Sequence, residues 1–212
     1  MKIWAVIPVK ALDAAKQRLA GTLDPALRRE LALAMLEDVL DCAAAVPQLA
    51  GIIVATVDPQ AAALAARHGA AVSREDAALG HSEAVAAVAR RLAGDGAAML
   101  TLPADIPLVQ PADIARLLAA CGEGPGFAIV PAHDGLGSNA VLCAPADLMP
   151  LRFGGASFTP HVAAARARNL NPLILDLPRI ALDLDEAADL AAFLAIPSRT
   201  RARALLHAEA SA

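Results

Sequence analysis

Three cationic side chains follow the first apolar segment of the chain. A buried-strand pattern runs from Trp4 to Val9. After it, before any helix begins, come Lys10, Lys16 and Arg18. This loop lacks the glycines of a nucleotide-binding fingerprint, so backbone amides alone cannot hold a phosphate there and side-chain cations must. We therefore expect a phosphate ligand, with ordinary solvated charges as the alternative for Lys16 and Arg18.

An aspartate follows another buried-strand pattern. In the segment TLPADIPLV, Asp105 lies just beyond the strand and between Pro103 and Pro107, which restrict the local backbone. A carboxylate fixed at the ligand edge of a sheet, facing a cationic phosphate loop, suits a hard metal ion such as Mg²⁺. The alternative is that Asp105 only caps its turn.

Two more aspartates precede a predicted helix in the segment IALDLDEAADL. Asp185 is the simpler candidate for the helix cap. Asp183, two residues earlier, would then be available to join Asp105 at a metal. Two carboxylates together with substrate phosphates are enough to place Mg²⁺.

Two glycine- and serine-containing segments could bind a second anion. They are HDGLGSN, from His133 to Asn139, and FGGASF, from Phe153 to Phe158. Their glycines allow backbone amides to approach a ligand, and Ser157 lies near the start of a predicted helix, where the dipole favours negative charge. Each segment could be an ordinary turn, but together they indicate a phosphate or carboxylate site.

Other residues that often do chemistry are assigned no catalytic role. Lone histidines are more often structural or exposed, and no pair of them has metal-ligand spacing. The cysteines are odd in number and lack the spacing of zinc or redox motifs, so we expect buried thiols. These residues are His81, His133, His161, Cys42, Cys121 and Cys143.

Composition limits the class of protein. The 212 residues are 57% hydrophobic with a formal net charge of −4, which suits one soluble domain, 1–212. The apolar runs are too short to cross a bilayer, and no signal segment opens the chain, so we expect a cytoplasmic protein without membrane contact. The acidic balance and an aromatic content of 2% argue against nucleic acid as a partner.

Short apolar runs alternate with helical patterns, which predicts an α/β sheet covered by helices on both faces. Strands are predicted from Trp4 to Val9, Gly51 to Val57, Ala70 to Ser73, Ala97 to Leu102, Phe127 to Pro131, Asn139 to Cys143 and Leu173 to Leu177. Helices are predicted from Pro25 (with Asp24 as cap) to Val46, Pro59 to His68, Gly80 to Leu92, Pro111 to Ala120, Thr159 to Arg168, Glu186 to Leu194 and Ser198 to His207. The polar glycine loop before Asn139 breaks the βαβ rhythm and suggests an antiparallel element.

Five segments together resemble one enzyme family. IPVKALDAAKQRLAG, LPADIPLV, HDGLGSNAVL, FGGASFTPH and LDLDEAADL occur in the order and approximate spacing seen in 2-phospho-L-lactate guanylyltransferases. The resemblance implies a three-layer α/β/α nucleotide-diphospho-sugar transferase (GT-A-like) fold with a mixed, mostly parallel sheet. It implies transfer of GMP from GTP to 2-phospholactate, phosphoenolpyruvate or 3-phosphoglycerate, with Mg²⁺ and release of pyrophosphate, in biosynthesis of the deazaflavin coenzyme F-420.

The resemblance also implies roles for single residues. Lys10 and Lys16 fall where the triphosphate is held, and both count with Asp105 as catalytic. Asp105, with Asp183 or Asp185, falls at the metal. The acid substrate is assigned Arg18, Ser138, Gly154 and Ser157, and the nucleotide is also assigned Gly80 and Ser82.

The chain departs from the family pattern at several positions. Family members usually carry threonine in place of Ser138, Gly-Pro-Gly-Ser in place of GGAS, and Asp-Thr-Pro in place of DLDEA. The segment GHSEAV replaces a Gly-Leu-Asn pattern and is similar to molybdopterin-type nucleotidyltransferases. A molybdopterin nucleotidyltransferase and a non-catalytic sensor of the same fold are therefore alternatives. The phospho-acid, the preferred base and the oligomeric state, a homodimer included, stay open.

Overall fold

The computed structural model of the chain describes residues 1–74, 80–120, 122 and 125–209. Its strands are β1 (Ile3–Val9), β2 (Leu49–Thr56), β3 (Ala71–Ser73), β4 (Ala98–Thr101), β5 (Gly126–Pro131), β6 (Ser138–Ala144) and β7 (Leu173–Ile174). Its α-helices are α1 (Pro25–Ala44), α2 (Pro59–Arg67), α3 (His81–Gly94), α4 (Pro111–Ala120), α5 (Phe158–Arg166), α6 (Pro178–Ala181), α7 (Ala187–Ala195) and α8 (Arg201–Glu209). The loop after β1 contains two short 3-10 helices, Leu12–Ala14 and Gln17–Leu19.

The strands of the described residues form one mixed sheet in the order β3-β2-β1-β4-β6-β5-β7. β1 is parallel to β2 and β4, β2 is parallel to β3, and β5 is parallel to β7. β6 runs antiparallel to both of its neighbours, β4 and β5. The predicted α/β class with a mixed, mostly parallel sheet is confirmed, as is the antiparallel element beside the glycine loop.

Because β6 is antiparallel to its neighbours, the ends of β1 and β4 and the start of β6 lie at one edge of the sheet. β1 and β4 run side by side in the same direction, so the loops that follow them leave from the same edge. Because β6 runs the opposite way, its first residue, Ser138, also lies at that edge. Open α/β sheets bind ligands outside the carboxyl ends of their parallel strands. This topology therefore places three of the predicted site segments next to one another.

Helices cover both faces of the sheet. Along β1, Ala5 and Ile7 belong to a buried cluster with side chains of α1, α2 and α4. Val6, which points the other way, belongs to a cluster with side chains of α3 and α5. Alternation along a strand sends successive side chains to opposite faces, so each face buries its own core. The predicted three-layer arrangement is confirmed.

Aspartate caps set the first two helices. Asp24 accepts a hydrogen bond from the Leu27 backbone N–H at 2.9 Å, and Pro25 is the first residue of α1, as predicted. Asp58 caps α2 in the same way and also accepts from the Leu12 N–H at 3.1 Å. The bond from Leu12 anchors the loop after β1 to the start of α2.

The closing elements differ from prediction. The strand expected from Leu173 to Leu177 ends at Ile174, because Pro178 starts α6, a short helix that the prediction missed. The last helix begins at Arg201 rather than Ser198, since the carboxylate of Asp38 on α1 accepts from the Arg201 N–H at 2.9 Å. A cap supplied by another helix leaves no local signal in the sequence.

Two further predictions concern burial. Cys42 and Cys143 are buried thiols, as expected, whereas Cys121 lies outside the described residues. Burial, together with the Asp113 carboxylate, raises the pKa of Cys42 to about 12, so it is protonated at neutral pH. Within the described ranges, no helix combines the length and the apolar character needed to span a bilayer.

Candidate active site

A cavity of about 590 Å³ opens at the sheet edge where β1 and β4 end and β6 begins. Lys10 and Asp105 both line it, so the cationic loop and the first carboxylate share one space. The predicted site residues that line this main cavity are Lys10, Arg18, Asp105, Ser138, Gly154, Ser157, Asp183 and Asp185. Gly80 lines a smaller cavity of about 250 Å³, which shares Pro8, Lys10 and His81 with the main one.

Lys16 joins two of the predicted metal ligands. Its Nζ lies 2.5 Å from Asp105 Oδ2 and 2.8 Å from Asp185 Oδ1, and only 7% of its side chain is exposed. Burial lowers the pKa of Lys16, but the two carboxylates outweigh it and raise the pKa above its ordinary value. The residue is therefore a buried ammonium, and the alternative of a solvated charge is wrong for Lys16.

Asp185 is a partner of Lys16 and not a helix cap. The N-cap of α7 is Glu186, and Asp189 accepts hydrogen bonds from the N–H groups of Asp185 (3.0 Å) and Glu186 (2.7 Å). Although burial pushes the pKa of Asp185 upward, the ammonium of Lys16 lowers it overall. The cap interpretation fails because Asp189, four residues on, already satisfies these amides.

A backbone hydrogen bond ties the two carboxylate loops together. The Leu184 N–H donates to the Asp105 carbonyl at 3.1 Å. On the other side, Asn139 Nδ2 lies 3.0 Å from Asp183 Oδ1 and 2.9 Å from the Ile180 carbonyl. Burial, together with the charge of Asp105, raises the pKa of Asp183, although the bond from Asn139 opposes this. The backbone bond and the side chain of Asn139 thus hold the loops that carry these aspartates together.

Oxygen ligands for a divalent cation are only partly assembled. In the part of the chain that the structure describes, no group of three or more His, Cys, Asp or Glu side chains is placed to hold a metal ion. Asp105 and Asp185 do converge on one cation, the ammonium of Lys16. Mg²⁺ is commonly held by one or two carboxylates plus substrate phosphates, so this donor set fits an ion that arrives with a nucleotide.

The second predicted anion site is built from two serines and a glycine turn. Ser157, at the N-cap of α5, donates from Oγ to Ser138 Oγ at 3.2 Å. Gly154 and Gly155 have φ values of +104° and +52°, which side-chain-bearing residues rarely adopt. The glycines are therefore required by the backbone, and the turn brings main-chain groups to the cavity wall.

The remaining predicted residues lie around the mouth of the cavity. Lys10 is exposed, and Arg18, with 70% of its side chain exposed, is 3.3 Å from Glu186. Solvated charge thus describes Arg18 better than it describes Lys16. The Ser82 hydroxyl accepts from the Phe153 N–H at 2.9 Å, so it joins the start of α3 to the glycine turn. Nucleotide binding by Ser82 stays a prediction.

The whole chain also matches a known family. A model of the family described as guanylyl transferase CofC like matches residues 2–209. The chain belongs to this CofC-like guanylyl transferase family. The family resemblance predicted from the five segments is therefore confirmed, and the chain is a nucleotidyltransferase.

Curated relatives agree with the CofC-like assignment. A protein of Rubrobacter xylanophilus named phosphoenolpyruvate guanylyltransferase is 41% identical over 197 residues, covering 90% of this chain and 93% of its own. A protein of Roseiflexus sp. with the same name is 42% identical over 206 residues, covering 97% of this chain and 90% of its own. Similarity extends over nearly the full length of each.

Solved structures share the CofC-like fold at lower identity. A protein of Desulfovibrio desulfuricans G20, described provisionally as a nucleotide-diphospho-sugar transferase, has a TM-score of 0.80 at 19% identity, covering 100% of this chain and 96% of its own. CMP:2-keto-3-deoxy-manno-octonic acid synthetase, solved with CTP, has a TM-score of 0.61 at 17% identity, covering 99% and 100%. The predicted nucleotide-diphospho-sugar transferase fold is confirmed.

Three side-chain contacts at this CofC-like site were not predicted, although His133 and Asn139 end a segment that was expected to bind an anion. Asn139 holds Asp183, and its signal was a polar residue inside an apolar strand. His133 lies with Nε2 3.1 Å from Asp189 Oδ1. His161 contacts Ser138, with Nδ1 and Oγ 2.9 Å apart. Neither histidine had a sequence signal, because its partner is distant in the chain.

Proposed function

We propose that this guanylyltransferase moves GMP from GTP to a small phosphorylated carboxylic acid, with release of pyrophosphate. Phosphoenolpyruvate is our first choice of acceptor, and 2-phospholactate and 3-phosphoglycerate are the others. The names of the Rubrobacter and Roseiflexus relatives support phosphoenolpyruvate. We place the reaction in biosynthesis of the deazaflavin coenzyme F-420, as the sequence resemblance implies.

One observation carries this proposal. A buried ammonium and two carboxylates meet beside a cavity that is also lined by the serines and the glycine turn predicted to bind an anion. The first group suits a triphosphate with its cation, and the second suits the acid. Both are needed when two anions must approach one another.

The chemistry needs little from an acid or base. A phosphomonoester has its second pKa near ~6, so the attacking oxygen is already ionised at neutral pH. That oxygen forms a bond to the α-phosphorus of GTP as the α–β anhydride bond breaks, and pyrophosphate leaves with the bonding electrons. The barrier is therefore mainly one of bringing two anions together in line.

The cations of the loop after β1 reduce the repulsion between the two anions. Lys10 and Arg18 line the cavity and can approach phosphate oxygens. Lys16 supplies buried positive charge in contact with the carboxylates of Asp105 and Asp185. Fixed charges that face developing negative charge in a partly dry site stabilise a transition state without reorganisation.

We also propose a Mg²⁺ requirement. Asp105 and Asp185, with Asp183 beside them, would hold the ion together with phosphate oxygens, and bound Mg²⁺ would neutralise part of the triphosphate charge. The carboxylates of this chain would then orient the nucleotide.

The test is a panel of four nucleoside triphosphates against the three acids, with pyrophosphate release as the readout. We expect release with GTP only when an acid is present, and fastest with phosphoenolpyruvate. Tight GTP binding with no release in any pair would favour the sensor alternative. Release with a molybdopterin acceptor in place of the three acids would favour the other enzyme class.

A further inference from the structure

One buried histidine next to the anion site has a fixed tautomer. His161 on α5 is 3% exposed, and its Nε2 accepts a hydrogen bond from the Arg152 backbone N–H at 3.0 Å. A backbone N–H can only donate, so Nε2 must carry a lone pair. Burial lowers the pKa of His161, which also favours the neutral ring. The proton of the ring is therefore on Nδ1.

That proton points at Ser138. Nδ1 of His161 and Oγ of Ser138 are 2.9 Å apart, and with this tautomer the ring donates and the serine oxygen accepts. Ser157 Oγ donates to the same oxygen at 3.2 Å. A hydroxyl oxygen has two acceptor lone pairs, and both are now used. The hydroxyl proton of Ser138 is left for a third partner, and Ser138 lines the main cavity.

The ring is also held from the side. Phe153 packs against His161 edge to face, with ring centroids 5.4 Å apart, and against His81 with centroids 5.1 Å apart. Aromatic contact on one side and a backbone amide on another leave the imidazole one orientation. The donor at Nδ1 is thus fixed in direction as well as in identity.

We propose that His161 is a positioning residue that makes Ser138 an obligatory hydrogen-bond donor to an ionised oxygen of the acceptor acid. This rests on the proposed function, because it assumes that the acid binds at Ser138. A hydroxyl that can only donate requires a ligand oxygen with a free lone pair, and an ionised oxygen accepts a stronger hydrogen bond than a neutral one. This point of the site therefore favours a carboxylate or phosphate anion.

The tautomer is tested first, without any substrate. Long-range ¹H–¹⁵N NMR of histidine-labelled protein at pH 7.5 should show His161 with a protonated Nδ1 and an unprotonated Nε2. A protonated Nε2, or a doubly protonated ring, would overturn the inference.

A matched pair of variants then separates the two ring nitrogens. The amide nitrogen of asparagine lies near the position of Nδ1, and the amide oxygen of glutamine lies near that of Nε2. His161→Gln keeps an acceptor for the Arg152 N–H but loses the donor to Ser138, and His161→Asn does the reverse. We expect His161→Gln to raise the KM for the acid about tenfold and to leave the KM for GTP unchanged. In His161→Asn, the KM for the acid should stay within about threefold of the wild-type value. Equal losses in both variants would show a purely structural role and overturn the proposal.

Ser138→Ala provides a test that leaves the histidine in the sequence and removes only the hydroxyl that accepts from its Nδ1. It should raise the KM for the acid to the same extent as His161→Gln, and the double variant should be no worse than either. If the increases in KM of the two single variants multiply in the double variant, the two residues act independently and the proposal is contradicted. If the wild type turns over and Ser138→Ala has an unchanged KM for the acid, this inference is overturned and the proposed function stays intact. Absence of pyrophosphate release from the wild type with every acid would overturn the function, and the NMR result then decides the tautomer alone.

Comparing phosphoenolpyruvate with its carboxylate methyl ester identifies the oxygen involved. If the partner is the carboxylate, Ser138→Ala causes a smaller loss with the ester than with the free acid, because the neutral ester oxygen accepts a weaker hydrogen bond. If the partner is the phosphate, the loss on substitution is the same with both compounds.

Discussion

Lys16 donates from Nζ to Asp105 Oδ2 at 2.5 Å, joining the loop after β1 to the loop after β4. The same ammonium contacts Asp185, so one buried cation neutralises two carboxylates. A divalent ion that uses these carboxylates must compete with that ammonium.

Replacing Lys16 with alanine should therefore have opposite effects on metal and nucleotide. Without GTP, the affinity for Mn²⁺, used as a spectroscopic substitute for Mg²⁺, should rise about tenfold, or about 1.4 kcal/mol. GTP should bind more weakly, because a cation beside the phosphates is lost. Electron paramagnetic resonance measures the first effect and isothermal calorimetry the second. Lys10→Ala is the control, since Lys10 is exposed and should leave Mn²⁺ affinity nearly unchanged; weaker Mn²⁺ binding by Lys16→Ala would contradict the competition.

Asp105→Asn should abolish turnover and preserve the fold. The amide keeps the size of the side chain but removes a charge at the proposed metal, and we expect kcat to fall at least ~100-fold. Circular dichroism should stay close to wild type, because the backbone bond from Leu184 does not involve the carboxylate. Thermal unfolding should fall only modestly, since the buried ammonium of Lys16 loses the charge of Asp105 but keeps Asp185 as a partner. Near-normal activity at saturating Mg²⁺ would show that Asp105 holds no metal. Asp95→Asn, at an exposed position after α3, is the matched control.

Gly154→Ala should weaken binding of the acid through the backbone alone. A Cβ built at Gly154 meets no atom within 4 Å, but its φ of +104° strains any side-chain-bearing residue. We expect a higher KM for the acid with the KM for GTP unchanged. Gly21→Ala, which also has open space and no such φ, should change neither constant. A raised KM for GTP alone would place the glycine turn at the nucleotide.

Arg179→Met should destabilise the fold away from the cavity. Arg179 donates two hydrogen bonds, of 2.7 and 2.6 Å, to the Asp113 carboxylate, which is 2% exposed. Losing one partner leaves a buried charge unpaired, and the half-exposed arginine reduces the expected loss to about 2 kcal/mol in the free energy of unfolding. Urea titration measures it. Arg116→Met, on the exposed side of α4, the helix that contains Asp113, should change stability by less than about 0.5 kcal/mol.

Asp58 should give the stability a dependence on pH. Burial raises the pKa of Asp58, but hydrogen bonds from the N–H groups of Leu12, Ala61 and Gln60 outweigh it and lower the pKa below its usual value. A lowered carboxylate pKa contributes stability above the ordinary aspartate range, near ~4, and loses it as pH falls through the folded-state pKa. Asp58→Ala should therefore cost about 1 to 2 kcal/mol at pH 7 and progressively less as the pH is lowered below the ordinary aspartate range, by urea titration across a series of acidic pH values. A cost independent of pH would mean that the contribution of Asp58 does not come from its charge.

The sequence predicted the strands well, and most of its candidate site residues line one cavity. Apolar runs mark the buried strands, and residues just beyond parallel strands meet at one edge, which is why Lys10 and Asp105 share a cavity. The cap at Asp24 was predictable because its partners lie within one turn. Local signals were sufficient for each of these features.

Features that depend on distant partners could not be predicted. Lys16 contacts Asp105 and Asp185, which are 89 and 169 residues away in the chain, and the sequence around Lys16 does not predict that contact. The same holds for the start of α8, which Asp38 of α1 sets, and for the pairing of His161 with Ser138. Periodicity and capping rules report only neighbours in sequence.

The hydrogen bond from the Leu184 N–H to the Asp105 carbonyl uses only peptide groups, so it survives when the neighbouring side chains are exchanged. The scaffold under the aspartates is therefore independent of their chemistry. Imidazoles or thiols at 105 and 185 would need a neutral residue at 16 as well, because the buried ammonium of Lys16 would otherwise lose both of its partners. With that triple exchange, this edge of the sheet becomes a practical place to engineer preference for softer divalent ions.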